Sequence, residues 1–135
     1  MRTRRAEWLI TTLAVALPLA AATTPARAQV APGEPEGAYV LMIIPGDTAS
    51  TRSHTLLCGP DGGTHAAPTS ACDQLRDAEG RLGSIPADAG PCTKVYDPVR
   101  VSAHGIWRGH SRHFTKVYGN QCEAVRATGG SLFSF

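Results

Sequence analysis

The sequence predicts a single α+β domain of about five antiparallel strands and one main helix, stapled by two disulfides. Three observations carry this. Short apolar runs rich in β-branched and aromatic residues recur between Gly/Pro breakers. One segment, 71–82, places Cys72, Leu75, Glu79 and Leu82 near one helical face. Four cysteines, Cys58, Cys72, Cys92 and Cys122, all fall in the later part of the chain, an even count that reads as two bridges in a small exported domain.

Residues 1–28 read as a secretory signal and not as part of the fold. Arg2, Arg4 and Arg5 give a basic start, 9–22 is apolar apart from two threonines, and Ala26-Arg27-Ala28 offers small residues at a cleavage site. Glu7 sits where twin-arginine export prefers an apolar residue, so general secretion is the better reading. Residues 29–38, with Pro32, Gly33, Pro35 and Gly37, read as a mobile N-terminal tail. The folded domain is expected over 39–135.

Within it, Tyr39 to Ile44 is an apolar run stopped by Pro45-Gly46, hence a strand with a buried centre. Residues 51–58 read as a second strand, and 60–68 as a loop in which Gly62-Gly63 makes a turn. Thr69 or Ser70 is expected to cap a helix over 71–82, ended by Gly83. Residues 84–91 form a proline-containing loop. Residues 99–103 alternate as a strand, His104-Gly105 is expected to turn, and 106–118 to return as a long strand with Gly109 at a bulge. A short helix is expected over 120–127 and a final strand over 129–135.

The charge narrows the function classes. The whole chain has 13 Lys+Arg and 11 Asp+Glu, a formal charge of +2. Removing Arg2, Arg4, Arg5, Arg27 and Glu7 with the signal leaves −1, so the basic character belongs to the export segment. Only Lys94 and Lys116 are lysines, and no basic cluster marks a nucleic-acid partner. After the signal, no apolar run is long enough to span a membrane. No cofactor motif is present.

Catalytic readings fare poorly. His54, His65, His104, His110 and His113 show no triad or metal-ligand spacing and read as surface or turn histidines. No C-x-x-C or close Cys/His pair marks a metal site. Asp73, Asp77, Asp97 and Glu123 are isolated carboxylates. The informative segment is Pro91-Cys92-Thr93-Lys94-Val95-Tyr96-Asp97-Pro98. It carries a basic side chain beside a cysteine, on a stretch bracketed by prolines that restrict the unfolded chain. A trypsin-like protease would bind such an extended, anchored lysine and struggle to finish cutting beside it. From spacing alone, four cysteines allow three pairings.

At this point the residues resemble a family. Cys58-Gly59-Pro60, Gly63-Thr64-His65 and Ser70-Ala71-Cys72-Asp73-Gln74-Leu75 are similar to the front half of the Streptomyces subtilisin inhibitor family. Val95-Tyr96-Asp97-Pro98-Val99, Gly105-Ile106-Trp107-Arg108-Gly109, Lys116 to Glu123 and Ser131 to Phe135 resemble its back half. The resemblance implies helices, one longer and one short, packed on one face of a five-stranded antiparallel sheet. It implies the pairings Cys58–Cys72 and Cys92–Cys122, a homodimer formed through the sheet, and serine proteases as partners. It places a reactive bond at Lys94-Val95, within a protease-contacting loop Pro91, Cys92, Thr93, Lys94, Val95, Tyr96, braced by Asn120. Thr93 stands where the best-known member has proline, His104-Gly105 replaces an Asp-Gly turn, and Lys94 replaces an apolar residue. The last change suits a deep pocket with a carboxylate at its base, so trypsin-like as well as subtilisin-like proteases are expected targets. The readings set beside this one are a secreted binding module without inhibitory activity and a small secreted hydrolase.

Overall fold

Alternation sets the sheet. In strand β1 (Gly37–Pro45) the side chains of Tyr39, Leu41 and Ile43 are buried, while Val40 between them is exposed. A computed structural model describes residues 32–135; the expected signal segment lies outside the described residues. β1 starts two residues earlier than the expected domain boundary, because Gly37 and Ala38 already pair with Trp107 and Ile106.

β1 is the centre of a five-stranded antiparallel sheet of order β3-β2-β1-β4-β5. Its neighbours are β2 (Arg52–Cys58) and β4 (Val99–Trp107), with β5 (His110–Tyr118) and the two-residue β3 (Gly62–Gly63) at the edges. The buried face carries Tyr39, Leu41, Ile43, Leu56, Cys58, Val99, Val101, Ala103 and Trp107. Helix α1 (Pro68–Asp77) covers the β2 end with Ala71, Cys72 and Leu75, and the short helix α2 (Gln121–Ala127) covers the β4–β5 end with Ala124. Both helices therefore lie on one face, and Leu132 and Phe133 fill the space beneath them.

Several expectations are corrected. The turn of the β4–β5 hairpin is Arg108-Gly109, with φ of 46° and 78°, and not His104-Gly105. Glu36 settles the choice: its carbonyl accepts from the Arg108 N–H at 2.8 Å, and its carboxylate takes the Arg108 guanidinium. Gly105 instead sits in mid-strand, where any side chain would meet the Ala38 carbonyl and the Tyr39 ring. Gly109 is accordingly a turn residue, and no bulge interrupts the strand.

The fifth strand is Gly62–Gly63, read above as a turn, and not 129–135. Thr64 fastens it by accepting from the Thr55 N–H at 2.9 Å through its hydroxyl. At the C-terminus, Gly129 and Gly130 both take positive φ. The adjacent Leu132 and Phe133 then both face inward, a turn geometry that breaks strand alternation.

Helix α1 runs Pro68–Asp77, and its N-cap is Ala67 without a side-chain hydrogen bond, so neither Thr69 nor Ser70 caps it. Proline at the first turn needs no partner for its absent N–H. The helix stops well before Leu82 because Glu79 and Gly80 take φ of 51° and 73°. Gly80 then packs flat against Trp107, leaving no room for a Cβ, and its carbonyl accepts from the Tyr39 hydroxyl at 2.8 Å.

The segment expected to be a mobile tail is partly anchored. Glu36 joins a network in which Arg76 also reaches Asp61 and Asp73. Burial alone would raise the Glu36 carboxyl, but hydrogen bonds and charge from Arg108 and Arg76 outweigh it and hold the group below its ordinary value. Among the described residues no helix is long and apolar enough to cross a membrane.

Candidate functional site

Helix α2 has seven residues, and its first turn is tied to a loop. Asn120 caps it, accepting from the Glu123 N–H at 2.9 Å, while Glu123 reaches back to the Gly119 N–H at 3.2 Å. Glu123 in the first turn and Arg126 in the last complement the helix dipole. The N-x-x-E spacing from Asn120 to Glu123 was a readable signal for this start.

The residues of this turn and helix grip the segment 86–98, which has no regular structure of its own. Ile85 buries its side chain in the core at the entry. Arg126 accepts from the Asp88 N–H at 2.8 Å and pairs with its carboxylate at 2.5 Å. Cys122 is bonded to Cys92, with Cα atoms 5.8 Å apart. The Asp97 N–H donates to the Gly119 carbonyl at 2.9 Å at the exit. The Asp88–Arg126 clamp escaped the sequence reading because its partners are 38 residues apart.

Asn120 makes the closest approach. Its amide nitrogen donates to the Thr93 carbonyl at 3.1 Å and to the Val95 carbonyl at 3.0 Å. With the Glu123 bond on its oxygen, the side chain uses both amide hydrogens and is nearly buried. The two carbonyls flank Lys94, so the backbone on either side of that residue is tied to one rigid point.

The outer surface of the loop is correspondingly bare. Pro91, Thr93, Lys94, Val95 and Tyr96 are exposed, Val95 to 64 % and Tyr96 to 81 %. Cys92 is half-buried. The structure thus gathers all the residues singled out from the sequence, Pro91 to Tyr96 with Asn120, around one disulfide.

The residues weighed for catalysis are dispersed or otherwise engaged. His65 is buried, bonded through Nε2 to the Leu132 carbonyl at 3.1 Å, and accepts from the Ala67 N–H at 3.0 Å through Nδ1. His54 stacks near Phe135. Cys58 is bonded to Cys72, which ties β2 to α1 within the core and away from the loop. Among the described residues the one grouping of three metal-ligating types, Cys58, Asp61 and Cys72, has both sulfurs in that disulfide.

A two-disulfide α+β domain carrying one constrained, outward loop defines the class, and comparison with known proteins identifies it. The subtilisin inhibitor-like family model matches residues 36–120. Subtilisin inhibitor-like protein 5 of Streptomyces fradiae is 40 % identical over 104 residues, covering 73 % of this chain and 96 % of that protein. Trypsin inhibitor STI2 of Streptomyces longisporus is 39 % identical over 134 residues, covering 93 % and 92 %. Among solved structures, Streptomyces caespitosus sermetstatin in complex with Bacillus licheniformis subtilisin matches with a TM-score of 0.58 and 29 % identity, over 73 % of this chain and 98 % of that one. The chain belongs to the subtilisin inhibitor-like family, whose members are protease inhibitors and not enzymes.

Proposed function

We propose that this chain is a secreted, substrate-like inhibitor of serine proteases, with Lys94-Val95 as its reactive bond and trypsin-like as well as subtilisin-like enzymes as targets. The observation that carries the reading is the bracket of Asn120 on the Thr93 and Val95 carbonyls, beside the Cys92–Cys122 bridge. A protease binds residues 92–96 extended in its cleft, as an added strand. Lys94 enters the primary pocket and its carbonyl approaches the nucleophilic serine and oxyanion hole. Because the loop is ordered before binding, little conformational freedom is lost on association.

Slow turnover follows from the same anchors. If the protease serine is acylated by the Lys94 carbonyl and the bond to Val95 breaks, the leaving amine of Val95 stays in place, held by Asn120 through the Val95 carbonyl and by Asp97 through Gly119. It blocks water and favours resealing. Two relatives, a trypsin inhibitor and a protein bound to subtilisin, support both target classes.

The open sheet face supports pairing of two copies. Val40, Leu57, Ile106 and Val117 lie on it, 41–56 % exposed. A second copy would cover this exposed apolar surface.

The deciding experiment is a stoichiometric titration of trypsin and of subtilisin with the purified protein, followed by mass spectrometry. Inhibition at one site per chain with a single nick after Lys94 is expected. Full protease activity at excess inhibitor, or a nick elsewhere, overturns the assignment.

A further inference from the structure

The chain approaches Lys94 through a stretch with little support of its own. Among the described residues the backbone of 86–90 makes two hydrogen bonds, and both are to Arg126. The Arg126 carbonyl accepts from the Asp88 N–H at 2.8 Å, and its guanidinium donates through Nη1, more loosely, to the Ala89 carbonyl at 3.4 Å. The same nitrogen holds the Asp88 carboxylate at 2.5 Å. A Cβ placed on Gly90 would lie 2.5–2.8 Å from the guanidinium carbon and nitrogens, so the planar group rests against the Gly90 backbone. Asp88 is backed in turn by Gly130, whose missing side chain leaves room for the carboxylate. One side chain thus touches three consecutive residues just ahead of Cys92.

We propose that Arg126 is a positioning residue for the inhibitory loop, fixing the register of the arm that carries Lys94. The proposal rests on the reading of Lys94-Val95 as the reactive bond. Helix geometry supplies the reason. Cys122 and Arg126 stand one turn apart on one face of α2, and Asn120 caps the same helix. Cys122 takes Cys92, Asn120 takes the carbonyls on both sides of Lys94, and Arg126 takes 88–90. Without the Arg126 side chain the arm is still tied at Cys92, but the segment leading to it swings about that point. The next firm anchor back is Ile85, buried in the core.

The consequence falls on resealing. When the protease serine takes the Lys94 carbonyl, the bond to Val95 breaks and the serine proton passes to the Val95 amine. Resealing is the reverse: the amine attacks the ester carbonyl, the ester bond to serine breaks, and the proton returns to the serine. Water attacking the same ester instead leaves a nicked chain with a carboxylate on Lys94. Two arms held in register favour the intact form, because a nick then releases little backbone freedom. The Arg126–Asp88 pair itself is 38 % and 45 % exposed, so it adds little to stability. Its effect is therefore expected in the loop and not in the melting temperature.

The test is the ratio of nicked to intact chain at equilibrium with a catalytic amount of trypsin, read by mass spectrometry from both the intact and the nicked side. Arg126→Gln is expected to raise the ratio roughly tenfold, about what freeing one residue's backbone gives, with the melting temperature nearly unchanged. Gly90→Ala fills the seat of the guanidinium while leaving Arg126 present, and is expected to raise the ratio in the same direction; it decides the matter if Arg126→Gln folds poorly. Arg126→Lys keeps the charge without the planar group and should fall between wild type and Arg126→Gln. Arg81→Gln removes another exposed ion pair, with Glu79, and should leave the ratio unchanged. A wild-type ratio in folded Arg126→Gln and Gly90→Ala, with wild type inhibiting, overturns the positioning role alone. An equal rise in Arg81→Gln also overturns it. A wild-type chain that neither inhibits trypsin nor is nicked after Lys94 overturns the reading of the reactive bond, and this proposal with it.

Discussion

The side-chain amide of Asn120 donates to the carbonyl oxygen of Val95 at 3.0 Å, and the same nitrogen holds the Thr93 carbonyl two residues earlier. One residue therefore caps helix α2 and spans the proposed reactive bond, so the two roles must be separated experimentally. Asn120→Ser keeps an oxygen for the Glu123 N–H but loses both bonds to the loop. Stability should fall by no more than about 1–2 kcal/mol, since serine is a good N-cap. Inhibition should become temporary, with protease activity returning over hours as the chain is cut after Lys94. Persistent inhibition by this variant would count against the bracket as the source of slow turnover.

Lys94 is exposed. Lys94→Ala should leave the melting temperature unchanged while weakening trypsin inhibition by roughly 10²–10³-fold, the range for truncating an interface anchor. Lys94→Met should shift preference toward subtilisin- and chymotrypsin-like enzymes, measured as the ratio of inhibition constants. An unaltered ratio in Lys94→Met would remove Lys94 from the specificity role.

The two disulfides should separate function from stability. Cys92–Cys122 closes a ring with a sequence separation of 30, and Cys58–Cys72 one of 14. In the chain-entropy model these correspond to about 3.7 and about 3.0 kcal/mol. Replacing Cys92 and Cys122 by alanine should abolish lasting inhibition even in the fraction that stays folded. Replacing Cys58 and Cys72 should lower the denaturation midpoint, with folded protein still inhibiting. Denaturant curves run beside protease titrations distinguish the two.

Much of this arrangement was legible in the sequence, and the failures have physical causes. The alternation of Tyr39, Leu41 and Ile43 marked β1, and the cysteine-lysine segment marked the loop. The hairpin was misread because two glycines, Gly105 and Gly109, give similar local turn signals. The choice between them is made by Glu36, 72 residues from Arg108, and by the Tyr39 ring lying where a Gly105 side chain would be. The C-terminal residues were read as a strand because Leu132 and Phe133 are apolar, yet the positive φ at Gly129 and Gly130 turns both inward. Long-range anchors of the loop, such as Asp88 to Arg126, have no local pattern to betray them.

The open face makes a prediction about assembly. Val40 lies on the central strand with 42 % of its surface exposed. Val40→Asp would place a charge at the middle of any symmetric contact and should yield a monomer by sedimentation equilibrium. Protease inhibition per chain should persist, since the loop is held by Asn120 and Cys122 at helix α2 and not by β1. A wild-type protein already monomeric at micromolar concentration would dispose of the pairing.

Tyr39 predicts the alkaline limit. Its hydroxyl is buried against the Gly80 carbonyl, and burial pushes its pKa up to about 12, with Arg112 opposing. A raised folded value means that the folded state prefers the protonated phenol. The stabilisation is therefore fully present below the unfolded value near 10, and is lost as pH rises from there through about 12. The loss should be on the order of 2 kcal/mol across that window. Tyr39→Phe should cost about 1 kcal/mol at neutral pH by removing the hydrogen bond to Gly80, and should flatten the alkaline decline. Urea denaturation at pH 8, 10 and 11.5 checks both. An equally steep decline in the phenylalanine variant would assign the alkaline transition to other groups.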